Sequence, residues 1–487
     1  MANPESKLAP LREIHGARLY GYSMGFFGIM LMMMLTGSYS YNFYVYTIRL
    51  DSIFVSIGST LYMVTMAFSS IIFGVILDNT KPKKIGKRRP YILIGLPFWL
   101  AAMILIYLPP WIPPLSLAMS NTVLYWPTAL WYWGINIIRA IFGSLLMIVF
   151  SSVLPEISQT LPNRKTVATL SVNLQILSSI VSTAFPNIIQ SLVEDSTNTG
   201  YWTNSGKFIM NVMPTISVIF AIPVMICIFI AFFSIDESFH LKGSEFEKRK
   251  IIDTFKYLFI PIKDKEYMKF MAAGVSNQMG SYVFAFTVIP FIAFVLGRNL
   301  PLEEISVLYV LYIIISISVK FVWFFIWKFI GKKQGNLLRT YKWNLIFIIF
   351  GSFLELIFLI ALNVPLRLLL FILSFGTVMG SLYATMLFSS PLLNEMIDRA
   401  AEMHIINNTQ ELLNKDDAVT RLSGVYNGLF MFLASLLGAL ISAVFGLIFQ
   451  GENSRNPVIL TLGLVSMGFF QIIALSFLYI FKVKFKE

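Results

Sequence analysis

A glycine and an aspartate at the end of an apolar run form the first pair of residues whose types and spacing could do chemistry. Gly74 and Asp78 are four residues apart and therefore share one face of a helix. A basic segment containing Gly86, Arg88 and Arg89 follows directly. The glycine would permit close helix approach, and the Asp78 carboxylate could bind an arginine or cap a neighbouring helix. The spacing therefore predicts an electrostatic latch, whereas the simpler alternative is a basic loop beside an isolated acid.

A second group of polar residues lies inside long apolar runs. Arg139, Lys320 and Glu355 are ionisable, and such residues within lipid are costly and therefore usually paired or functional. The Cα heights of Lys320 and Glu355 differ by roughly 7 Å at a rise of 1.5 Å per residue, so they could form an ion pair. Alternatively, each side chain extends separately to the headgroups. The uncharged candidates for a cavity or coupling role are Asn173, Asn277, Gln278 and Asn427, for which hydrogen bonding between helices is the structural alternative.

Signals for enzymatic or metal chemistry are missing from the sequence. The one cysteine, Cys227, lies in an apolar run, and His15, His240 and His404 all lie in polar segments. Neither a nucleotide-binding P-loop nor an intramembrane nucleophile with a base is visible. We therefore expect no cofactor, no metal and no catalytic activity.

The elements that must position these residues follow from composition. The 487 residues are 57% hydrophobic and 13% charged, and the mean hydropathy is +0.74. Apolar runs of the roughly 20 residues needed to cross a membrane recur along the whole chain. Segments this apolar must satisfy their backbone groups internally, so helices are expected. The predicted fold class is an all-α polytopic membrane protein with twelve transmembrane helices. The predicted spans are 20–46, 52–77, 90–109, 129–154, 166–190, 208–234, 270–296, 303–330, 340–363, 365–391, 422–449 and 457–482.

The distribution of basic residues predicts the orientation. With the N-terminus in the cytosol, cytosolic segments hold 30 of the 37 Lys and Arg, and external loops hold five. Both termini are therefore expected to be cytosolic, in the cell (plasma) membrane. The net charge of +12 reflects this topology and attraction to anionic lipid, and no nucleic-acid partner is expected.

A charged segment divides the predicted spans into two sets of six. The predicted units are an N-terminal half, 1–234, a cytosolic linker, 235–269, and a C-terminal half, 270–487. The basic loop after the second span, 81–89, has a weak counterpart in 331–335 after the eighth. Two duplicated six-helix halves around a central cavity would explain this echo.

The stretch 74–95, with its Gly-Lys-Arg-Arg-Pro-Tyr-Ile-Leu-Ile-Gly segment, resembles the loop-two signature of the major facilitator superfamily. More narrowly, it is similar to that of the glycoside–pentoside–hexuronide:cation symporters, the family of melibiose permease. Leu154-Pro155-Glu156 and the block Asp398, Arg421, Gly424 and Tyr426 are similar to two further family segments, and Arg139 with Gly143 fits a superfamily spacing. The resemblance implies the major facilitator fold and a gating motif made of Gly74, Asp78, Gly86, Arg88, Arg89, Asp398 and Arg421.

The chain departs from that family where the sugar and sodium ion would bind. Met66 and Ser70 occupy the places of two aspartates on the second helix. Ile29 and Met30 replace a Lys-Asp pair on the first helix, and Ser435 replaces a lysine on the eleventh. The expected cargo is therefore less polar than a sugar.

The function that the resemblance implies is secondary transport. We expect alternating access that moves a small organic or amphipathic solute, with membrane lipid and a coupling proton or cation as further partners and a monomer as the working unit. The alternative is a non-transporting receptor or an intramembrane enzyme on the same scaffold.

Overall fold

The computed structural model is helical nearly throughout the residues that it describes, which are 12–81, 85–119, 121–158, 160–237, 258–360, 362–407 and 415–482. Within these ranges there is no β-strand, and one isolated bridge joins Leu50 to Val123. The all-α prediction is confirmed. The twelve long helices are α1 Gly16–Asn42, α2 Ser52–Asp78, α3 Arg89–Leu105, α4 Trp126–Ile157, α5 Leu161–Leu192, α6 Asn204–Ser234, α7 Lys265–Phe291, α8 Leu302–Gln334, α9 Leu337–Leu354, α10 Val364–Asn407, α11 Lys415–Ile448 and α12 Pro457–Ile480.

Each predicted span overlaps one of these helices. Eleven helices are long and apolar enough to cross a membrane, and α3 is apolar but has 17 residues. The largest boundary difference concerns α10, which runs to Asn407 instead of ending at the predicted residue 391. Hydropathy marks where lipid contact ends, while helix-forming residues such as Ala, Glu and Met continue the backbone beyond it.

The start of each half repeats the same local geometry. Helices α1 and α7 each have 27 residues, and each continues into a π-helical turn, Phe43–Thr47 and Ile292–Leu296 respectively. A non-glycine residue with positive φ follows each turn, Arg49 at 67° and Asn299 at 63°. Such a repeat of an uncommon conformation supports duplication of a six-helix unit.

We call the membrane side nearer the two ends of the chain the terminal side and the opposite side the distal side. The two halves meet where α2 packs on α11 and α5 packs on α8. Four hydrogen bonds join α2 and the π-helical turn after α1 to the distal part of α11 and the loop after it. They are Tyr46 Oη to Ser454 O (2.6 Å), Ser52 Oγ to Gly446 O (2.9 Å), Ser442 Oγ to Ser56 O (3.4 Å) and Thr60 Oγ1 to Ala439 O (3.1 Å).

The contact between α2 and α11 depends on small residues. A Cβ added at Gly446 would overlap the Ser56 side chain, and one at Gly438 would lie 3.0 Å from Met63 Sδ. Small residues allow membrane helices to approach closely and to pack through their backbones. The halves are therefore closed against each other on the distal side.

Two like charges lie at this closure. Arg49 and Arg455 come from different halves, and Glu452 lies within electrostatic range of Arg49. Burial, followed by the charge of Arg455, lowers the pKa of Arg49 to about 10, while Glu452 acts in the opposite direction. Arg49 therefore stays charged at neutral pH, and its repulsion from Arg455 works against a permanent seal.

Gly446→Val should open the distal side, because its side chain would overlap Ser56. The measurement is the labelling rate of Met63→Cys by a membrane-impermeant maleimide from the distal side, in a Cys227→Ala background. Overpacking costs about 1–3 kcal/mol, so we expect labelling to accelerate by about tenfold.

Gly134→Val is the matched control, since an added Cβ there meets no atom within 4 Å among the described residues. Equal labelling rates in the Gly446 and Gly134 variants would contradict the proposed closure.

Candidate functional site

The loop between α2 and α3 is organised by a carboxylate from the end of α6. Glu237 is buried and accepts hydrogen bonds from Arg88 N (3.1 and 3.0 Å) and Arg89 N (3.2 Å). Gly86 has a φ of 123°, and an added Cβ there would overlap Glu237 Oε2. The carboxylate thus caps the first turn of α3, where backbone N–H groups lack partners within the helix and the helix dipole favours negative charge.

The two arginines of this loop extend the same assembly. Arg88 Nη1 donates to Ser152 O of α4 at 2.6 Å, and the Arg89 guanidinium lies 4.3 Å from the centre of the Phe232 ring on α6. These contacts bind the loop to α3, α4 and α6, all within residues 1–237. A cross-half role for the arginines remains a prediction.

The other members of the predicted gating motif are only partly described by the structure. The side chains of Asp78 and Arg421 lie outside the described residues, and Asp398 is half-buried on α10. A Cβ added at Gly74 would meet no described atom within 4 Å, so close helix approach at this glycine remains a prediction.

A second candidate site surrounds Arg139 in the middle of α4. Arg139 is 6% exposed, and its guanidinium lies 4.3 Å from the centre of the Tyr62 ring on α2. It also interacts electrostatically with the phenols of Tyr44 and Tyr107. Arg139 Nε and Nη1 are buried with no hydrogen-bond partner in the described part of the chain. An unsatisfied buried donor costs about 1–3 kcal/mol, so this guanidinium can gain by donating to an acceptor from outside the protein.

The α4 face that carries Arg139 is polar over two turns. Tyr132, Asn136 and Arg139 follow one another at helical spacing. The Tyr132 hydroxyl lies 3.5 Å from Ser59 Oγ of α2, while Asn136 Oδ1 has no partner among the residues described. The face thus offers hydroxyl and amide groups beside one fixed positive charge.

This cluster extends across the boundary between the halves. Tyr62 lies within electrostatic range of Tyr282 on α7, which also receives a side-chain hydrogen bond from Gln278. Tyr282 in turn packs beside Gly438 of α11. The structure therefore brings two sequence-predicted candidates, Arg139 and Gln278, to one phenol-lined region.

The remaining candidates lie elsewhere. The Asn173 side chain is exposed on α5, and Asn277 accepts from Gln471 Nε2 of α12 (3.5 Å) through its backbone carbonyl, which is a packing contact. Asn427 is half-buried on α11. The Lys320 side chain lies outside the described residues, so its pairing with Glu355 stays a prediction.

Glu355 lies where α9 changes to the 3-10 turn Glu355–Leu359. It is 1% exposed, and its Oε1 has no hydrogen-bond partner within the described ranges. The turn that contains Glu355 packs against α10 and α12. The ionisable residues in the apolar segments of these two helices are Arg367 and Tyr479. Arg367 donates to the carbonyls of Leu296 and Arg298, and Tyr479 lies at the opposite end of the membrane.

Glu237, Tyr62 and Tyr282 were not predicted from the sequence as members of these sites. Glu237 is 149 residues from its partner Arg88, and no local pattern links the two. The two tyrosines do not stand out by residue type, because 15% of the chain is aromatic. A phenol inside a predicted span is nevertheless a usable signal, because its hydroxyl needs a polar partner. Among the described residues no group of three or more His, Cys, Asp and Glu could hold a metal ion.

Comparisons with known proteins agree with this architecture. Residues 21–481 match a family profile described as MFS/sugar transport protein. No curated protein matches the sequence significantly.

Three solved structures illustrate the fold. Nucleoside transporter NupG has a TM-score of 0.55 at 14% identity, covering 96% of this chain and 100% of that chain. The D-xylose-proton symporter has a TM-score of 0.53 at 10% identity, covering 96% of each chain. The xylose transporter XylE from E. coli, in a partially occluded inward open conformation, has a TM-score of 0.58 at 11% identity, covering 96% of this chain and 97% of that chain. At these identities the similarity shows the fold alone.

Glu237→Ala should destabilise the protein, because it leaves the first N–H groups of α3 without their acceptor. Losing a cap or a buried acceptor costs about 1–3 kcal/mol. The measurement is the apparent melting temperature of the detergent-purified protein.

Asp236→Ala, at the neighbouring position, is the control. The Asp236 side chain is 51% exposed and lies 3.4 Å from Arg18, a surface pair that is worth little. An equal fall in melting temperature for both variants would exclude the cap as the cause.

Proposed function

The chain belongs to the MFS/sugar transport protein family and is a secondary transporter, and on this premise we propose that it moves a small organic solute with an anionic group. The observation that carries this proposal is the buried Arg139 guanidinium, with two N–H groups that lack an acceptor. An arginine binds a carboxylate or phosphate through two parallel, charge-assisted hydrogen bonds.

The surroundings of Arg139 suit an amphipathic solute. Tyr62 covers one side of the guanidinium, and Tyr44 and Tyr107 lie close by. Aromatic rings offer apolar area with a hydroxyl at one end, so they can bind the organic part of such a solute. The acidic group would bind Arg139, and the apolar part would contact the rings.

The position of the site supports alternating access. Arg139 and Tyr62 belong to helices of the first six, whereas Tyr282 and Gln278 belong to α7. A solute that touches both sets would be released only when the halves separate. The hydrogen bonds between α2 and α11 support a state in which separation on the distal side has not occurred.

The loop assembly around Glu237 supports a gating role for Gly86, Arg88 and Arg89. It ties α3, α4 and α6 together, so these helices would move as one body. Asp78, Asp398 and Arg421 would complete the gate from α2, α10 and α11. With this gate we propose two halves joined by the linker 235–269 and a monomer as the working unit.

We do not propose coupling through the sodium site of the glycoside–pentoside–hexuronide:cation symporters. Met66 supplies no oxygen, and Ser70 Oγ donates to Ala67 O of its own helix at 2.8 Å. Sodium favours several oxygen ligands, which these two positions do not provide. The Glu355 carboxyl, buried in the C-terminal half, is a better candidate for binding a coupling proton.

The bias of Lys and Arg towards the terminal side supports cytosolic termini. A plasma-membrane location is proposed with that orientation. The absence of a catalytic constellation among the sequence motifs supports a transporter without enzymatic activity.

Arg139→Gln should abolish the preference for anionic solutes. In proteoliposomes we expect carboxylate-bearing solutes to enter at least about tenfold faster than their neutral amide analogues, because a charged hydrogen-bonded pair is worth about 1.5–3 kcal/mol. The variant should lose this difference, and Arg139→Lys should retain part of it.

Arg339→Gln, on the terminal surface, makes the same chemical change away from the site and should leave the preference intact. If Arg139→Gln still prefers the anions, the guanidinium is not the binding group.

Glu355→Gln should remove the pH dependence of uptake while leaving folding intact, because the amide keeps the shape of the carboxyl but cannot exchange a proton. Uptake would be measured across an imposed pH gradient. Glu303→Gln, at the exposed start of α8, is the matched control. Unchanged pH dependence in the Glu355 variant would exclude it from coupling.

A further inference from the structure

A groove opens on the terminal side between the start of α9 and the end of α12. It encloses about 460 Å³ and is lined by the cations Arg339 and Lys342, the rings of Trp343 and Tyr479, and the apolar Leu338 and Ile346. It lies outside the central site, and none of its lining residues belongs to the proposed solute site or gate. Its composition therefore needs its own explanation.

The charges in the groove are not neutralised within the protein. Among the described residues, no carboxylate lies within ion-pair distance of Arg339 or Lys342. The acid near the end of α12 is Glu266, which binds Lys269 Nζ at 2.6 Å and Lys482 N at 2.8 Å. The N-terminus of α9 begins at Leu337, so its helix dipole adds positive potential at the same end.

The polar and apolar linings are separated by depth. Arg339 lies in the first turn of α9, at the membrane surface, whereas Ile346 lies nine residues after Leu337, or roughly 14 Å deeper. Lys342 lies between them, with Nζ 4.7 Å from the centre of the Tyr479 ring. Trp343 is 44% exposed and Tyr479 is 63% exposed, as expected of rings at a lipid interface.

From this arrangement we propose that the groove binds one acidic phospholipid of the terminal-side leaflet. The phosphate and the negative headgroup lie against Arg339 and Lys342, and the acyl chains run along Trp343 and Ile346. A basic pocket at the membrane surface with an apolar continuation is complementary to an anionic lipid in both charge and depth. A soluble phosphate compound would match the charges but leave the deeper apolar wall uncovered.

The test measures lipid binding by native mass spectrometry of the full-length protein after removal of bound lipid. Phosphatidylserine and phosphatidylcholine with identical acyl chains are titrated in parallel. We expect the wild-type protein to bind one phosphatidylserine at least about tenfold more tightly than phosphatidylcholine, given about 1 kcal/mol for each basic residue near the surface. The double variant Arg339→Ala/Lys342→Ala should lose that preference.

Lys332→Ala/Lys333→Ala removes the same charge from the end of α8, on the same membrane side but outside the groove. It should keep the preference, and elution profiles and melting temperatures of both variants verify folding. An equal loss of the phosphatidylserine preference in both double variants would mean that general surface charge causes it, which would contradict the proposed site. Equal binding of the two lipids to the wild-type protein, or displacement of phosphatidylserine by excess inorganic phosphate, would also overturn it.

Discussion

The close approach of α2 and α11 near Ser56 and Gly446 fixes how the two halves sit against each other. Helices in lipid gain little from hydrophobic burial, so packing and interhelical hydrogen bonds must hold them together. The small Gly446 allows Ser52 to donate directly to the backbone of α11. The same closure brings Arg49 towards Arg455. Attraction by packing and repulsion between like charges oppose each other here, which suits a contact that must form and break repeatedly.

The loop assembly on the terminal side is held by a buried carboxylate, unlike the contact between α2 and α11. Glu237 is buried and accepts three hydrogen bonds, and Gly86 leaves room for its carboxylate. Removing this buried acceptor would leave two backbone N–H groups, of Arg88 and Arg89, without a partner, so such an assembly favours a single arrangement. One half therefore contains a firmly tied group of helices, while the boundary between the halves relies on weaker polar contacts. Movement of two rigid groups about their boundary needs this difference in strength.

The sequence was sufficient to predict the helices, because lipid requires long apolar runs and leaves the backbone no alternative to helical hydrogen bonding. It located Arg139 for the same reason, since a charge in such a run is conspicuous. It could not locate Tyr62 or Tyr282, whose neighbours are set by helix packing. The cap by Glu237 depends on a contact between residues 149 positions apart, which no local pattern encodes.

The central site and the distal closure constrain each other through α2. Tyr62, which lies against Arg139, is two residues from Thr60, which donates to Ala439 of α11. Any tilt of α2 that breaks the hydrogen bond of Thr60 must also move the ring beside the guanidinium. Conversely, an anion held by Arg139 and the surrounding phenols would favour the position of α2 in which those contacts form. Because an interaction between binding and closure acts equally in both directions, solute affinity would then depend on which side is closed. A single helix that carries both the ring and the gate is thus a physical route from solute binding to alternating access.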